Sequence, residues 1–207
     1  MRFKFKKLGG FIIEDLGQYL RDYLEKYPDT TVYVGTDSQT AGAWTRFVTV
    51  IALYDEIRKD GVHYVFNKKT ERREKDTFSR MWKEVEMSLE VASYLEGALE
   101  GYIKRLTPEE LLSIKATENK KPLRERDPSK ASLDAHQTNL VNIDVDVNPE
   151  LGGGHNKSNV AYVAAKSYLT GLGYRVRFKP YSWASSCAAD MQLKKGYGKK
   201  RRHKKGK

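Results

Sequence analysis

The stretch of residues 31–39, Thr-Val-Tyr-Val-Gly-Thr-Asp-Ser-Gln, constrains the fold more than any other part of the chain. Valines alternate with Tyr33 and Gly35, which is the period-two pattern of a strand with two distinct faces. Asp37 shares a face with Tyr33 and Gly35 and lies where the chain leaves the strand. Because acidic residues are poor strand formers, Asp37 either begins a turn by bonding to its own backbone or serves a function that needs further carboxylates nearby.

The composition is that of a soluble globular protein with one sizeable core. The chain has 207 residues, of which 39% are hydrophobic and 31% charged. It contains no apolar run near the roughly 20 residues that span a bilayer, and its first residues do not resemble a secretory signal. A single cysteine, Cys187, excludes an internal disulfide and favours a reducing, cytoplasmic location.

Positive charge is concentrated in the last residues of the chain. The net charge is +11, and residues 194–207 hold nine Lys or Arg and no acid. We expect residues 196–207 to form a disordered basic tail that binds a polyanion, and nucleic acid is favoured over membrane because no apolar anchor accompanies the charge. The alternative is a solubilising tail. The basic residues expected to contact nucleic acid there are Lys199, Lys200, Arg201, Arg202, Lys204 and Lys205.

The remaining periodicity predicts an α/β chain. An apolar stripe predicts an amino-terminal helix at 11–26, and a longer helix follows from residue 77 to about 99. The strands are predicted at 31–39, 45–54, 62–67, 140–148 and 174–178, with further helices at about 158–171 and 184–195. Residues 104–139 form a polar insertion, and Thr107 with the Pro and two Glu that follow it predicts a helix start there.

The predicted strand at 140–148 carries two acids on one face. Asp144 and Asp146 alternate with valines and an isoleucine, so both carboxylates lie on the side opposite the apolar residues. Two acids on one strand face repel each other unless a cation or a basic partner balances them. The alternative is an exposed edge strand.

Three short motifs carry a resemblance to a known superfamily. They are Val34-Gly-Thr-Asp-Ser-Gln39, Ile-Asp-Val-Asp-Val-Asn-Pro at 143–149, and Lys-Pro-Tyr-Ser-Trp-Ala-Ser-Ser-Cys-Ala-Ala-Asp at 179–190. In order and spacing, residues 30–195 resemble the ribonuclease H-like superfamily, and more narrowly its YkuK-like family. The resemblance implies a single domain over 1–195 with a mixed five-stranded sheet. Three antiparallel strands would come first, then helix-strand-helix-strand-helix, with helices on both faces.

The resemblance also implies a set of metal-binding acids. It assigns this role to Asp37 and Asp190. On the fourth strand it favours Asp146, with Asp144 as the fallback, and on the long helix it favours Glu84, with Glu86 as the fallback.

Such a set suits phosphodiester hydrolysis with two divalent ions. Carboxylates favour Mg²⁺ or Mn²⁺, and two ions about 3.5–4 Å apart would activate water and neutralise the leaving oxygen. Lys179 is either a phosphate contact or a surface lysine. The rival hypotheses are an inactive nucleic-acid-binding module and an assembly protein, because fold alone does not fix function.

Four further residues are candidates for less specific roles. His155 in the glycine-rich loop is either a proton shuttle or phosphate contact, or a solvated histidine. His63 is predicted to be structural, Cys187 a small core residue, and Trp82 a core residue rather than a base-stacking platform.

Overall fold

The computed structural model describes residues 3–55, 61–148 and 157–194. Their centre is one five-stranded sheet in the order β3-β2-β1-β4-β5. The strands are β1 (Thr30–Ala41), β2 (Trp44–Asp55), β3 (Val62–Arg72), β4 (Asn142–Val145) and β5 (Arg175–Phe178). β1, β2 and β3 pair antiparallel, whereas β4 is parallel to both β1 and β5. The predicted mixed five-stranded sheet is therefore confirmed.

Helices cover both faces of this sheet, as predicted. The main helices are α1 (Leu16–Lys26), α2 (Thr77–Ala98), α3 (Pro108–Asn119), α4 (Pro128–Ala131), α5 (Lys157–Gly171), a π-helix (Ala184–Ala189) and α6 (Asp190–Lys194). α1, α2 and α5 share one apolar core with the sheet, through residues that include Leu20, Val34, Leu95, Ile143 and Leu169. The π-helix and α6 form a second core on the opposite face, with Tyr33, Val50, Phe66, Ala188 and Leu193 among its members.

The first helix begins later than the sequence pattern predicts. α1 starts at Leu16 because the Asp15 side chain caps it, accepting a hydrogen bond of 2.9 Å from the Gln18 amide. Phe11 and Ile12, which we placed in the helix, lie before it with 73% and 53% of their surface exposed. The predicted start at residue 11 was wrong because the apolar spacing extends to residues that precede the cap at Asp15.

The fourth strand lies in the middle of the sheet. All residues of β4 are buried, since β1 and β5 pair with its two sides. The alternative of an exposed edge strand was therefore wrong. β3 runs to Arg72, beyond the predicted end at residue 67, because β2 pairs with it along its whole length.

The insertion at 104–139 is folded against the end of the sheet. α3 begins with the predicted cap, in which the Thr107 hydroxyl and the Glu110 carboxylate each accept a backbone hydrogen bond. A 3₁₀ turn and α4 follow, and the Tyr181 hydroxyl donates to the Arg126 carbonyl at 3.2 Å. The domain boundary predicted at residue 195 stays a prediction.

Candidate active site

Two neighbouring parallel strands bring Asp37 and Asp146 together. The β1–β4 register ends with Thr36 opposite Val145, so Asp37 and Asp146 are the next residues on the two chains. Adjacent strands lie about 4.8 Å apart. The two carboxylates therefore stand side by side where β4 ends.

Gly35 allows the π-helix to pack closely on the same face of β1. A Cβ atom at Gly35 would lie 2.7 Å from the Ser185 backbone nitrogen and 2.9 Å from the Ser185 Cβ. Only glycine accepts this approach without displacing the helix backbone. The close packing places Asp190, the first residue of α6, on the Asp37 side of the sheet, where its carboxylate lies 2.5 Å from the Lys194 ammonium.

Glu84 approaches the strand end from α2, on the other face. Its side chain is only 6% exposed. Glu84 Oε1 accepts hydrogen bonds from the Ser38 hydroxyl at 2.6 Å and from Arg80 Nη1 at 2.8 Å. Burial raises the pKa of Glu84 to about 8, although Ser38 and Arg80 favour its charged form. The charges of Asp37 and Asp146 also act to raise this pKa, which links Glu84 to the acids across the strand end.

The electrostatics of Asp37 show how closely the acids interact. Burial, together with the negative charges of Asp146 and Asp190, raises the pKa of Asp37 to about 6. The Ser38 amide, which donates to Asp37 Oδ1 at 2.7 Å, and the Arg80 charge act in the opposite direction. A cation among these carboxylates would relieve their repulsion.

The acids have the donor chemistry of a hard divalent cation but do not form a ready-made cage. Asp146 Oδ1 is a buried oxygen without a hydrogen bond; Lys179 Nζ lies 2.8 Å away, at ion-pair distance but outside hydrogen-bond geometry. In the described part of the chain, no three His, Cys, Asp or Glu side chains converge closely enough to hold a metal ion as they stand. Basic partners occupy three of the carboxylates: Arg80 on Glu84, Lys179 on Asp146 and Lys194 on Asp190. The residues fit Mg²⁺ or Mn²⁺, provided that Lys179 and Lys194 withdraw.

The carboxylate of the fallback residue Asp144 is fully engaged in hydrogen bonds within the protein. It is 1% exposed, and the Arg177 guanidinium donates to both of its carboxylate oxygens at 2.8 and 2.9 Å. The Ala184 amide adds a third hydrogen bond of 2.8 Å. Asp144 therefore joins β4 to β5 and to the start of the π-helix. The Arg177 guanidinium also lies 3.6 Å from the centre of the Tyr33 ring.

The fallback residue Glu86 lies away from the other acids. Its side chain is 51% exposed, and its nearest basic partner is Lys83 at 3.9 Å. Two residues along a helix point to different sides, so Glu86 cannot share the direction of Glu84.

Sequence reasoning missed two arginines that organise the acids. Arg80 precedes Glu84 by four residues, a spacing that makes helix neighbours and could have been noticed. Arg177 lies opposite Asp144 in the β4–β5 register. That pairing becomes visible only when the two strands are known to be adjacent.

The remaining candidates have mixed outcomes. His63 is structural, as predicted: its ring bonds the Tyr19 hydroxyl at 2.6 Å and stacks on Tyr23. Cys187 is exposed, so its predicted place in the core was wrong. Trp82 is half-buried and stacks on Phe78. His155 and the tail residues Lys199, Lys200, Arg201, Arg202, Lys204 and Lys205 lie outside the described residues.

Comparisons with known proteins give one match. The family model described as "Ribonuclease H-like" matches residues 12–194, a span that includes all four favoured acids. Comparison with curated proteins and with solved structures gives no match. Among the described residues, none of the helices has both the length and the apolar character needed to cross a membrane.

Proposed function

Because this chain belongs to the ribonuclease H-like family, we propose that it is a divalent-metal-dependent nuclease that hydrolyses phosphodiester bonds in nucleic acid. The supporting observation is the meeting of Asp37 and Asp146 at the ends of two parallel strands, with a buried Asp146 oxygen that lacks a hydrogen bond. Asp190 and Glu84 interact electrostatically with this pair from opposite faces of the sheet. Carboxylates from β1, α2, α6 and the residue that follows β4 thus interact electrostatically near one strand end.

Asp37, Asp146, Asp190 and Glu84 would hold two Mg²⁺ or Mn²⁺ ions. When bound, such ions lower the pKa of an attacking water and neutralise the charge that develops on the leaving oxygen. Asp37 would be one of the residues that hold the ions, and the charges of both Asp146 and Asp190 act on it. Arg80 and Ser38 orient Glu84 through hydrogen bonds to one of its oxygens.

Lys179 would have two successive contacts in this proposal. Its ammonium balances Asp146 in the structure, and its side chain is 36% exposed. In the nuclease, Lys179 would turn from Asp146 to a phosphate of the substrate. The basic residues of the tail would add affinity that is independent of sequence and falls steeply with salt.

The proposal is tested by incubating the protein with labelled single strands, duplexes, hybrids and junctions in Mg²⁺, Mn²⁺ or EDTA. We expect cleavage that requires metal and disappears in Asp37→Asn, which removes one charge and keeps the shape. Asp134→Asn, at a carboxylate that is 56% exposed and contacts Lys115, is the matched control and should cleave normally. Comparing Glu84→Gln with Glu86→Gln decides between the two helix acids. Absence of metal-dependent cleavage on every substrate would refute the nuclease proposal.

A second candidate function is an inactive nucleic-acid-binding protein. It is favoured by the ion pairs that Arg80, Lys179 and Lys194 make with three of the four acids, since such pairs can be permanent partners rather than temporary ones. The two functions differ in metal affinity. Isothermal titration calorimetry with Mn²⁺ should show binding that Asp37→Asn abolishes if the acids form a metal site, and none if the ion pairs are permanent.

A further inference from the structure

The β1–β2–β3 meander continues past the candidate active site and forms an exposed strip on the Asp37 side of the sheet. Residues directly opposite each other in an antiparallel pair point to the same face. The register pairs Gln39 with Arg46 and Ala41 with Trp44 across β1 and β2, and Arg46 with Thr70 and Trp44 with Arg72 across β2 and β3. We call this surface the strip, and its members are Gln39, Trp44, Arg46, Lys68, Thr70 and Arg72.

The strip combines an exposed aromatic ring with positive charge. Trp44 has 55% of its surface exposed, and the exposed Arg72 lies directly opposite it on β3. Lys68 is also exposed, four residues before Arg72 on β3, where its ammonium donates to the Gln192 carbonyl at 2.7 Å. The acid of this part of β3, Glu71, alternates to the opposite face, where Lys69 contacts it at 2.6 Å. The strip therefore offers three cations and one large ring next to a carboxylate cluster.

The hairpin that carries Trp44 is held in place by several bonds. The Arg73 amide donates to the Ala43 carbonyl at 2.9 Å, which extends the β2–β3 pairing to the tip. The Thr40 and Thr45 hydroxyls bond to each other at 3.0 Å across β1 and β2. The backbone that carries the ring is thus paired with both neighbouring strands, so binding does not have to order this segment of backbone.

We propose that the strip binds single-stranded nucleic acid, with a base stacked on Trp44 and the backbone phosphates beside Arg46, Lys68 and Arg72. This inference rests on nucleic acid being the ligand of the acidic site. Base stacking on aromatic side chains next to a basic groove is the recurrent way in which proteins bind single strands. A duplex conceals the faces of its bases, whereas a single strand can offer one to Trp44.

The spacing between Trp44 and the acids sets a length for the bound strand. Ala41 pairs with Trp44 and lies four residues beyond Asp37 on β1, which corresponds to about 13 Å of strand. At roughly 3.4 Å per stacked nucleotide, about four nucleotides separate the base on Trp44 from the phosphate at the acids. A strand that reaches from Trp44 to the acids therefore needs at least about four nucleotides, a length that the 12-nucleotide probes exceed.

The test measures binding of the full-length chain in EDTA, so that it does not depend on cleavage. The probes are fluorescein-labelled 12-nucleotide single-stranded DNA and RNA and a DNA duplex of the same length, followed by anisotropy. We expect Trp44→Ala to weaken binding of a single strand by roughly 5- to 150-fold, from the usual value of one stacked base, and Trp44→Phe to retain most of the affinity. Duplex affinity should not change. The RNA and DNA arms show which strand is preferred.

Two further readouts separate stacking from charge. A single strand should quench tryptophan fluorescence; Trp44→Phe should remove most of that quenching, whereas the control Trp82→Phe should not. Arg72→Gln should lower the slope of log affinity against log salt by about 0.7, and Trp44→Ala should leave the slope unchanged.

The outcomes distinguish this inference from the proposed nuclease function. Unchanged single-strand affinity in Trp44→Ala, or an equal loss for the duplex, would overturn the inference even if metal-dependent cleavage were observed. Loss of single-strand binding in Trp44→Ala without any cleavage would support the strip and refute the nuclease.

Discussion

Replacing Asp37 by asparagine should stabilise the protein in EDTA, and the gain should grow as the pH rises. The pKa of Asp37 is raised from its ordinary 3.8 to about 6, so the folded protein binds this proton more tightly than the unfolded chain does. Stability is then lost as the pH rises from about 4 to about 6, where the folded carboxyl finally ionises. Asparagine carries no charge and escapes this loss.

The size of the effect follows from the difference between the two pKa values. Each pKa unit corresponds to about 1.4 kcal/mol, so ionising Asp37 costs the folded state up to about 3 kcal/mol above pH 7. Asparagine can still accept the hydrogen bond from the Ser38 amide that Asp37 Oδ1 accepts. We therefore expect Asp37→Asn to be close to neutral near pH 4 and stabilising by about 2–3 kcal/mol at pH 7.5.

Urea denaturation followed by circular dichroism measures this difference at several pH values in EDTA. Asp134→Asn, at an exposed carboxylate, is the control and should show no pH-dependent gain. Adding Mn²⁺ at pH 7.5 should stabilise wild type, because the ion binds the folded protein and offsets the repulsion among its carboxylates. Asp37→Asn should be unchanged, because it lacks the carboxylate that the ion needs. The reasoning about Asp37 would be refuted if the stability difference between Asp37→Asn and wild type did not change with pH. It would also be refuted if Asp37→Asn were less stable than wild type at pH 7.5.

Three further predictions concern packing and charge. Gly35→Ala should destabilise the protein by about 1–3 kcal/mol, because its Cβ would meet the Ser185 backbone, whereas Gly97→Ala in α2, with open space around it, should be neutral or stabilising in the same urea titration. Arg177→Met should lower the free energy of unfolding by about 3–5 kcal/mol, because it leaves Asp144 buried without its partner. A double variant with Asp144→Asn should recover part of this stability, and no recovery would contradict the pairing. Lys179→Gln should tighten Mn²⁺ binding in calorimetry by up to about fivefold, because it removes a competitor for Asp146, and weaker Mn²⁺ binding would contradict that competition.

Local patterns were sufficient for the elements whose signals lie within one segment. α2 begins at the predicted Thr77 and keeps its apolar spacing for 22 residues. The cap at Thr107 needs only Pro and Glu at fixed distances. The three antiparallel strands follow from alternation and short connections.

Other features had no local signal. The alternation at 140–148 is compatible with an edge strand or a central one, and the pairing of β4 on both sides decides between them. Apolar spacing at Phe11 and Ile12 extends the helical pattern beyond the cap at Asp15. Exposure of Cys187 depends on which side of the π-helix faces the sheet.

The candidate site divides in the same way. The sequence alone determined that acids occur on β1, α2, α6 and the segment around β4, because residue types and their order are local facts. Only the tertiary structure separated Asp144 from Asp146, which share a strand face. Asp144 lies in register with Arg177 and is neutralised inside the sheet, whereas Asp146 lies past the last β1–β4 pair, beside Asp37. The physical reason is that the environment of a carboxylate is set by its neighbours in space, and here those neighbours come from strands more than thirty residues away in the chain.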